Sequence, residues 1–283
     1  MTVREPCLPA GWYPHEGERI SRFLREFSGT DRRLAAAIAP HAGWYYSGKI
    51  AAAAVSALDR GADTAVVLGG HLPGGMPPLF AGEDGVRTPL GIMAIDTELR
   101  GRLQKELGGR PDRYQDNTVE VLLPMVRFFL PQAKLLWLRL PADLNSFEAG
   151  KAIAGAGKAL GRKLVVLGST DLTHYGDNYG FSPQGEGQKA LQWVREVNDR
   201  AFIDAVEEGA PEKILERAER DKSSCSAGAV LGALAYAQAV NAAPARLLAY
   251  GASADVTGAP GDEVPGSFVG YAAFGFYKGM SEV

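Results

Sequence analysis

The sequence predicts an α/β fold, a three-layer α/β/α sandwich around a mostly parallel or mixed sheet. Three observations predict it. Short apolar runs alternate with helical patterns along most of the chain, as β-α-β units require. The run Lys134 to Leu140 is apolar on both faces, the pattern of a strand covered by helices on both sides. Three of the four histidines, His41, His71 and His174, each follow an apolar run, so they fall beyond the carboxyl ends of strands, where open α/β sheets bind ligands.

Taken in order, Leu34 to Ala39 reads as a strand closed by Pro40, and Gly48 to Leu58 as an alanine-rich helix. The strand Thr64 to Leu68 completes the first β-α-β unit and ends in the loop Gly69-Gly70-His71. Val86 to Ile95, interrupted by Pro89-Leu90-Gly91, reads as a hairpin, and Asp96 as the cap of a helix over Thr97 to Leu107. Apolar residues at Val119, Leu122, Leu123, Val126 and Leu130 predict one helix over Asn117 to Leu130, stopped by Pro131. Helices follow over Phe147 to Leu160, about Glu186 to Glu207, Pro211 to Arg220 and Ala227 to Val240, with a strand at Lys163 to Leu167. Two more strands, Ala245 to Tyr250 and Ser267 to Phe276, flank a loop holding Gly258 and Gly261. No internal repeat or linker interrupts the series, so one domain over residues 1 to 283 is expected.

Composition narrows the function classes. The formal net charge is −3 with no cluster of Lys and Arg, which argues against nucleic acid as a partner. No apolar stretch reaches the roughly 18 residues of a membrane span, and Met1 to Gly11 lacks the apolar core of a secretory signal, so a cytoplasmic location is expected. Two cysteines, Cys7 and Cys225, are too few for a disulfide framework and read as free thiols or ligands.

Imidazole is a common ligand for zinc, iron and copper, so histidines converging on one crevice suggest a metal. Cys225 stands just before the helix starting near Ala227, where unpaired amides favour a thiolate. His41, His71 and Cys225 together would leave coordination positions open, as catalytic metals require. Asp171 and His174 form a D-x-x-H pair after a strand. The carboxylate either orients the imidazole as a general acid/base or is itself a ligand in a 2-His-1-carboxylate site. Glu120 either reaches the crevice or faces solvent. Trp44 and Tyr45, with Tyr46, Trp12 and Tyr13, read either as a pocket wall suited to a flat ligand or as ordinary packing. Gly43 to Lys49 nearly spells a phosphate-binding loop, but Ile50 replaces the hydroxyl that would hold Mg²⁺, and the aromatics crowd the turn.

Seven ordered segments also carry a resemblance. They are Gly11-Trp12-Tyr13-Pro14, Pro40 to Gly48, Thr88-Pro89-Leu90-Gly91, Val119 to Pro124, Ser169 to Gly176, Ser253 to Gly258 and Val269 to Ala272. Together they resemble the Memo family, called AmmeMemoRadiSam system protein B in prokaryotes. The resemblance implies a fold similar to LigB-type class III extradiol dioxygenases, whose mononuclear non-haem iron sits in a crevice. It places the metal positions at His41, His71 and Cys225, with Asp171 and His174 alongside, and implies iron, Fe(II) first, or copper, while the residues themselves leave zinc as a further alternative. It further implies redox chemistry, a small-molecule or peptide ligand, and, for prokaryotic members, association with a radical SAM protein and a third partner protein. Three positions depart from the family pattern. Asn117 stands where a His is usual, Leu-Gly-Gly precedes His71, and Ser226 follows Cys225 where glycine is usual. Asn117, Glu120, Trp44 and Tyr45 are the expected substrate-pocket residues. A metal- or peptide-binding adaptor without turnover, and a zinc hydrolase, are the competing expectations.

Overall fold

The computed structural model describes residues 1–29, 33–257 and 263–279. Its strands, in chain order, are β1 (Val3–Arg4), β2 (Leu34–Ala39), β3 (Thr64–Leu72), β4 (Leu79–Phe80), β5 (Gly85–Thr88), β6 (Gly91–Ala94), β7 (Arg110–Pro111) and β8 (Lys134–Pro141). Then come β9 (Leu164–Ser169), β10 (His174–Gly176), β11 (Arg246–Ala252) and β12 (Ser267–Tyr277). The helices are α1 (Gly17–Arg25), α2 (Trp44–Ser56), α3 (Thr97–Leu107), α4 (Asn117–Glu120), α5 (Leu123–Phe129) and α6 (Asn145–Ala159). They continue with α7 (Gln188–Trp193), α8 (Asp199–Glu208), α9 (Pro211–Arg220), α10 (Ala227–Ala239) and α11 (Ala254–Thr257).

The main sheet is mixed, in the order β10-β12-β2-β9-β3-β8-β4-β7, with β11 also paired to β12. Its centre, β2-β9-β3-β8, is parallel, and these strands are buried almost throughout because helices cover both faces. Antiparallel β12 closes one side. On one face α10 lies against β2, β3, β8 and β9 and is itself covered by α6 and α9. Being walled in on all sides, α10 is apolar all round rather than amphipathic, and nearly every residue in it is buried. The other face carries α2, which packs on β2, β11, β12 and α5. A small separate sheet, β1-β5-β6, contains the expected hairpin, and the Asp96 carboxylate caps α3 by accepting from Leu99 N.

Several elements differ from expectation, each for a local reason. The helix expected over Asn117 to Leu130 is two helices, because Pro124 has no N–H to donate and its ring clashes with the carbonyl four residues back. The helix expected from Glu186 begins at Gln188 and is interrupted by a π-helical turn at Val194–Asn198 before α8. Strand β3 runs past Leu68 through Gly69-Gly70-His71 to Leu72, with a register shift against β8. His174 opens the short strand β10 rather than standing in a loop. Helix α1, with only Ile20 and Leu24 buried, gives too thin an apolar stripe to be read from sequence. Gly258 and Gly261 lie outside the described residues. No helix among the described residues is long and apolar enough to cross a membrane.

Candidate metal centre

Because β2, β9 and β3 are adjacent and parallel, the segments leaving them meet at one edge of the sheet. His41 follows Pro40 at the end of β2 and is buried, 1% exposed. Its backbone N–H donates to Asp171 Oδ1 at 2.7 Å, its Nδ1 lies 2.7 Å from Ser169 Oγ, and its Nε2 lies 3.2 Å from Cys225 Sγ. His71, near the end of β3, has its ring edge-on to that of His41 with centroids 5.1 Å apart. Its Nδ1 meets Asp116 Oδ2 at 3.1 Å. One donor atom from each of His41, His71 and Cys225 lies within 4.8 Å of the others.

The close approach that allows this convergence depends on Gly70. A Cβ at that position would sit 2.3 Å from the Ser226 side chain, so only glycine lets β3 pass the start of α10. Cys225 is tied to the loop after β9 in both directions. Its N–H donates to the Asp171 carbonyl at 3.2 Å, and the Asp171 N–H points at its sulfur at 3.3 Å.

The charges are arranged unevenly. Burial works against the charged form of His71, but its Asp116 hydrogen bond and the nearby Cys225 together raise its pKa to about 9. Burial also works against the Asp116 carboxylate, yet its bonds to His71 and Thr118 and the charge of Arg139 bring it down to about 2. Burial lowers the pKa of His174, outweighing the pull of Asp171. His174 Nδ1 donates to the Leu172 carbonyl at 3.1 Å, because a carbonyl can only accept, and its ring stands edge-on to Tyr179.

His41, His71, Asp171, His174 and Asn117 line one crevice of about 530 Å³, with Trp12, Tyr46, Tyr179, Ser253 and Tyr271. Asn117 faces it while its Nδ2 donates to the His41 carbonyl at 3.1 Å. The other expected pocket residues stand elsewhere. Trp44 is buried against Tyr13 and Phe23, and its indole donates to the Val121 carbonyl at 2.9 Å. Tyr45, 67% exposed, donates to the Val256 carbonyl. Adjacent helical residues point about 100° apart, so of this aromatic run Tyr46 alone turns into the crevice. Glu120 neither lines the crevice nor faces solvent. It accepts from Cys7 N, Cys7 Sγ, Leu8 N and Tyr13 Oη, and so pins the N-terminal segment in place. Cys225 does not line this crevice; it sits behind His41 and opens onto a separate one with Leu144, Leu215, Ala218 and Glu219.

Sequence reasoning missed Asp116, Arg139 and Ser169, which hold the imidazoles from behind. It also missed Asp199, which is fully buried below the Asp171 to His174 segment. Thr173 N donates to Asp199 Oδ1 at 3.1 Å, and Tyr250 Oη donates to Oδ2 at 2.7 Å. Burial raises the pKa of Asp199 to about 6 despite these bonds. Gly270 on β12 makes room for that carboxylate, since a Cβ there would lie 2.0 Å from Oδ2.

Comparison with known proteins gives the chain a lineage. The family model described as Memo-like protein matches residues 4–274. The chain belongs to the Memo family. A MEMO1 family protein of Pyrococcus abyssi is 30% identical, covering 96% of this chain and 98% of the relative. One from Methanococcoides burtonii is 30% identical over the same shares, and one from Thermococcus kodakarensis is 29% identical over 98% of this chain and all of the relative. Among solved structures, an uncharacterised protein from Escherichia coli K12 matches with a TM-score of 0.46 at 12% identity, over 86% of this chain and 99% of that one. The seven motif segments read from the sequence thus lie within a Memo-family chain, and five of them supply residues that line the crevice.

Proposed function

We propose that this Memo-family crevice is a mononuclear metal centre of non-haem iron type in a redox enzyme, with Fe(II) the first choice and copper or zinc the alternatives. The observation that carries the reading is the convergence of His41, His71 and Cys225, drawn from three distant segments, to within 4.8 Å. The donor set fits such an ion. Two imidazoles have one nitrogen engaged from behind, which leaves the other for the metal, and the sulfur receives an amide hydrogen bond. A bound Fe(II) would supply Lewis acidity and one-electron chemistry.

The chain's own residues would do the rest. Asp171 Oδ2 stands 4.0 Å from His41 Nε2, close enough to complete the coordination sphere. His174 keeps its proton on Nδ1 and its lowered pKa leaves Nε2 unprotonated near neutrality, the state of a general base facing the crevice. Trp12, Tyr46, Tyr179 and Tyr271 offer flat apolar faces to a small aromatic or peptide ligand.

The test is metal content and oxygen uptake. Anaerobically purified protein loaded with Fe(II) is expected to hold one metal per chain, to lose most of it as His71→Ala, and to consume oxygen with a member of a catechol panel. Equal content in wild type and variant would remove His71 from the coordination sphere. Cys225 favours a second reading, ligand recognition without turnover, because a thiolate beside oxygen chemistry is readily oxidised. Full metal loading with no oxygen uptake selects that reading.

A further inference from the structure

We infer that Arg139 and Asp116 act as a charged positioning relay that presets His71, and His71 alone, as an Nε2 metal ligand. The inference rests on the metal-centre reading above. Asp116 Oδ2 holds His71 Nδ1 at 3.1 Å, which leaves Nε2 as the free nitrogen. Arg139, 5% exposed, lies behind Asp116, with Nη2 3.4 Å from Asp116 Oδ2 and Nη1 3.6 Å from the buried Asp112.

The same residues grip the backbone that carries the ring. Arg139 Nε donates to the Gly70 carbonyl at 3.0 Å, and the Gly70 N–H donates to Thr118 Oγ1 at 3.2 Å. The Thr118 hydroxyl in turn donates to Asp116 Oδ1. Both polar groups of Gly70 are therefore held by the residues that hold the next residue's imidazole. His71 itself has φ +55°, a left-handed conformation that a side chain with a Cβ seldom adopts and that persists only where the surroundings impose it.

Stability alone does not account for this cluster. Burying Arg139 with two carboxylates costs desolvation that apolar side chains of similar volume would avoid, so a buried ionic group is weak evidence of stabilisation and better evidence of placement. The N-terminal segment covers one side of the cluster. Arg4 donates to the Asp112 carbonyl at 2.9 Å, and only about 20 Å³ of space remains among Arg4, Asp112, Asp116, Glu120 and Arg139, room for one water. His41 has no such backing. Its Nδ1 meets only the neutral Ser169 hydroxyl.

The test uses the full chain, Co(II) as the metal probe, and ¹⁵N NMR of the histidine rings in metal-free protein at a pH where the imidazoles are neutral. Asp116→Ala is expected to weaken Co(II) binding roughly 10- to 100-fold. It is also expected to move the His71 ring proton from Nδ1 to Nε2 while leaving the His41 ring unchanged. Arg139→Met is expected to give a smaller loss in the same direction. Wild-type Co(II) affinity and an unmoved His71 proton in Asp116→Ala would overturn the inference. If wild-type protein binds no Co(II), the metal-centre reading fails and the ring measurement alone decides the relay. If Asp116→Ala does not fold, isosteric Asp116→Asn replaces it, with about tenfold weaker binding expected. Wild-type affinity in that variant would overturn the relay.

Discussion

His41 and His71 turn a free nitrogen toward the same sulfur, yet one is buried and held by a neutral hydroxyl while the other is 36% exposed and held by a carboxylate and an arginine. The difference follows from their places in the fold. His41 leaves a central strand flanked by β12 and β9, and packing already immobilises its ring, so the Ser169 hydroxyl need only satisfy one nitrogen. His71 stands near the end of β3 inside the register shift between Gly69 and Leu72, with solvent on one side. There packing cannot fix a rotamer, and charge-assisted hydrogen bonds supply the order instead.

The largest effect expected is common to both imidazoles. Cys225→Ala removes the soft donor at their meeting point, and metal affinity is expected to fall at least about 100-fold, read as metal content after anaerobic loading. Retention of wild-type affinity would mean that the two histidines do not share an ion with the sulfur.

A second prediction extends the comparison to the third histidine. Asp199 supports the Asp171 to His174 segment from below, and its pKa is raised from 3.8 to about 6 in the folded protein. The folded state therefore keeps a proton that the unfolded state loses first. Its contribution to stability is complete below pH 4 and is lost as pH rises to about 6, a change of about 3 kcal/mol. Urea unfolding of wild type and Asp199→Asn at pH 4 and pH 7 measures it. The variant is expected to lack this component, and parallel profiles for the two proteins would refute the burial effect.

Smaller effects should separate the two imidazoles. Gly70→Ala pushes a methyl into Ser226 and is expected to cost about 1–3 kcal/mol in thermal or urea unfolding, with metal affinity reduced as His71 shifts. Ser169→Ala leaves His41 Nδ1 without its hydroxyl, and an expected loss of about 1 kcal/mol should come with little change at His71. If Ser169→Ala weakens metal binding more than Asp116→Ala does, the assignment of the charged relay to the more demanding ligand is reversed.

Much of this arrangement was legible in the sequence, and for a local reason. Apolar runs such as Thr64 to Leu68 and Lys134 to Leu140 are strands because their burial pattern repeats over a few residues, and a histidine at the end of such a run must lie at the sheet's edge. The partners behind the imidazoles were not legible. Asp116 is 45 residues from His71, and Ser169 is 128 from His41, so no spacing rule pairs them. Asp116 signals only its capping of Thr118 N, and Arg139 sits in an apolar strand where nothing local explains its charge. Pro124 shows the opposite failure. Its helix-breaking chemistry was in plain view, but the apolar period continues past it. Trp44 and Tyr45 line a neighbouring crevice instead, because the helical rotation that turns Tyr46 toward the histidines turns these two away from them.

Anomalous diffraction from crystals of anaerobically prepared protein soaked in Co(II) tests the central claim most directly. The account predicts one strong peak per chain, about 2.1 Å from the Nε2 atoms of His41 and His71 and about 2.3 Å from Cys225 Sγ, distances typical of a divalent ion in such a donor set. A peak bound elsewhere on the chain, or none at saturating metal, would contradict it.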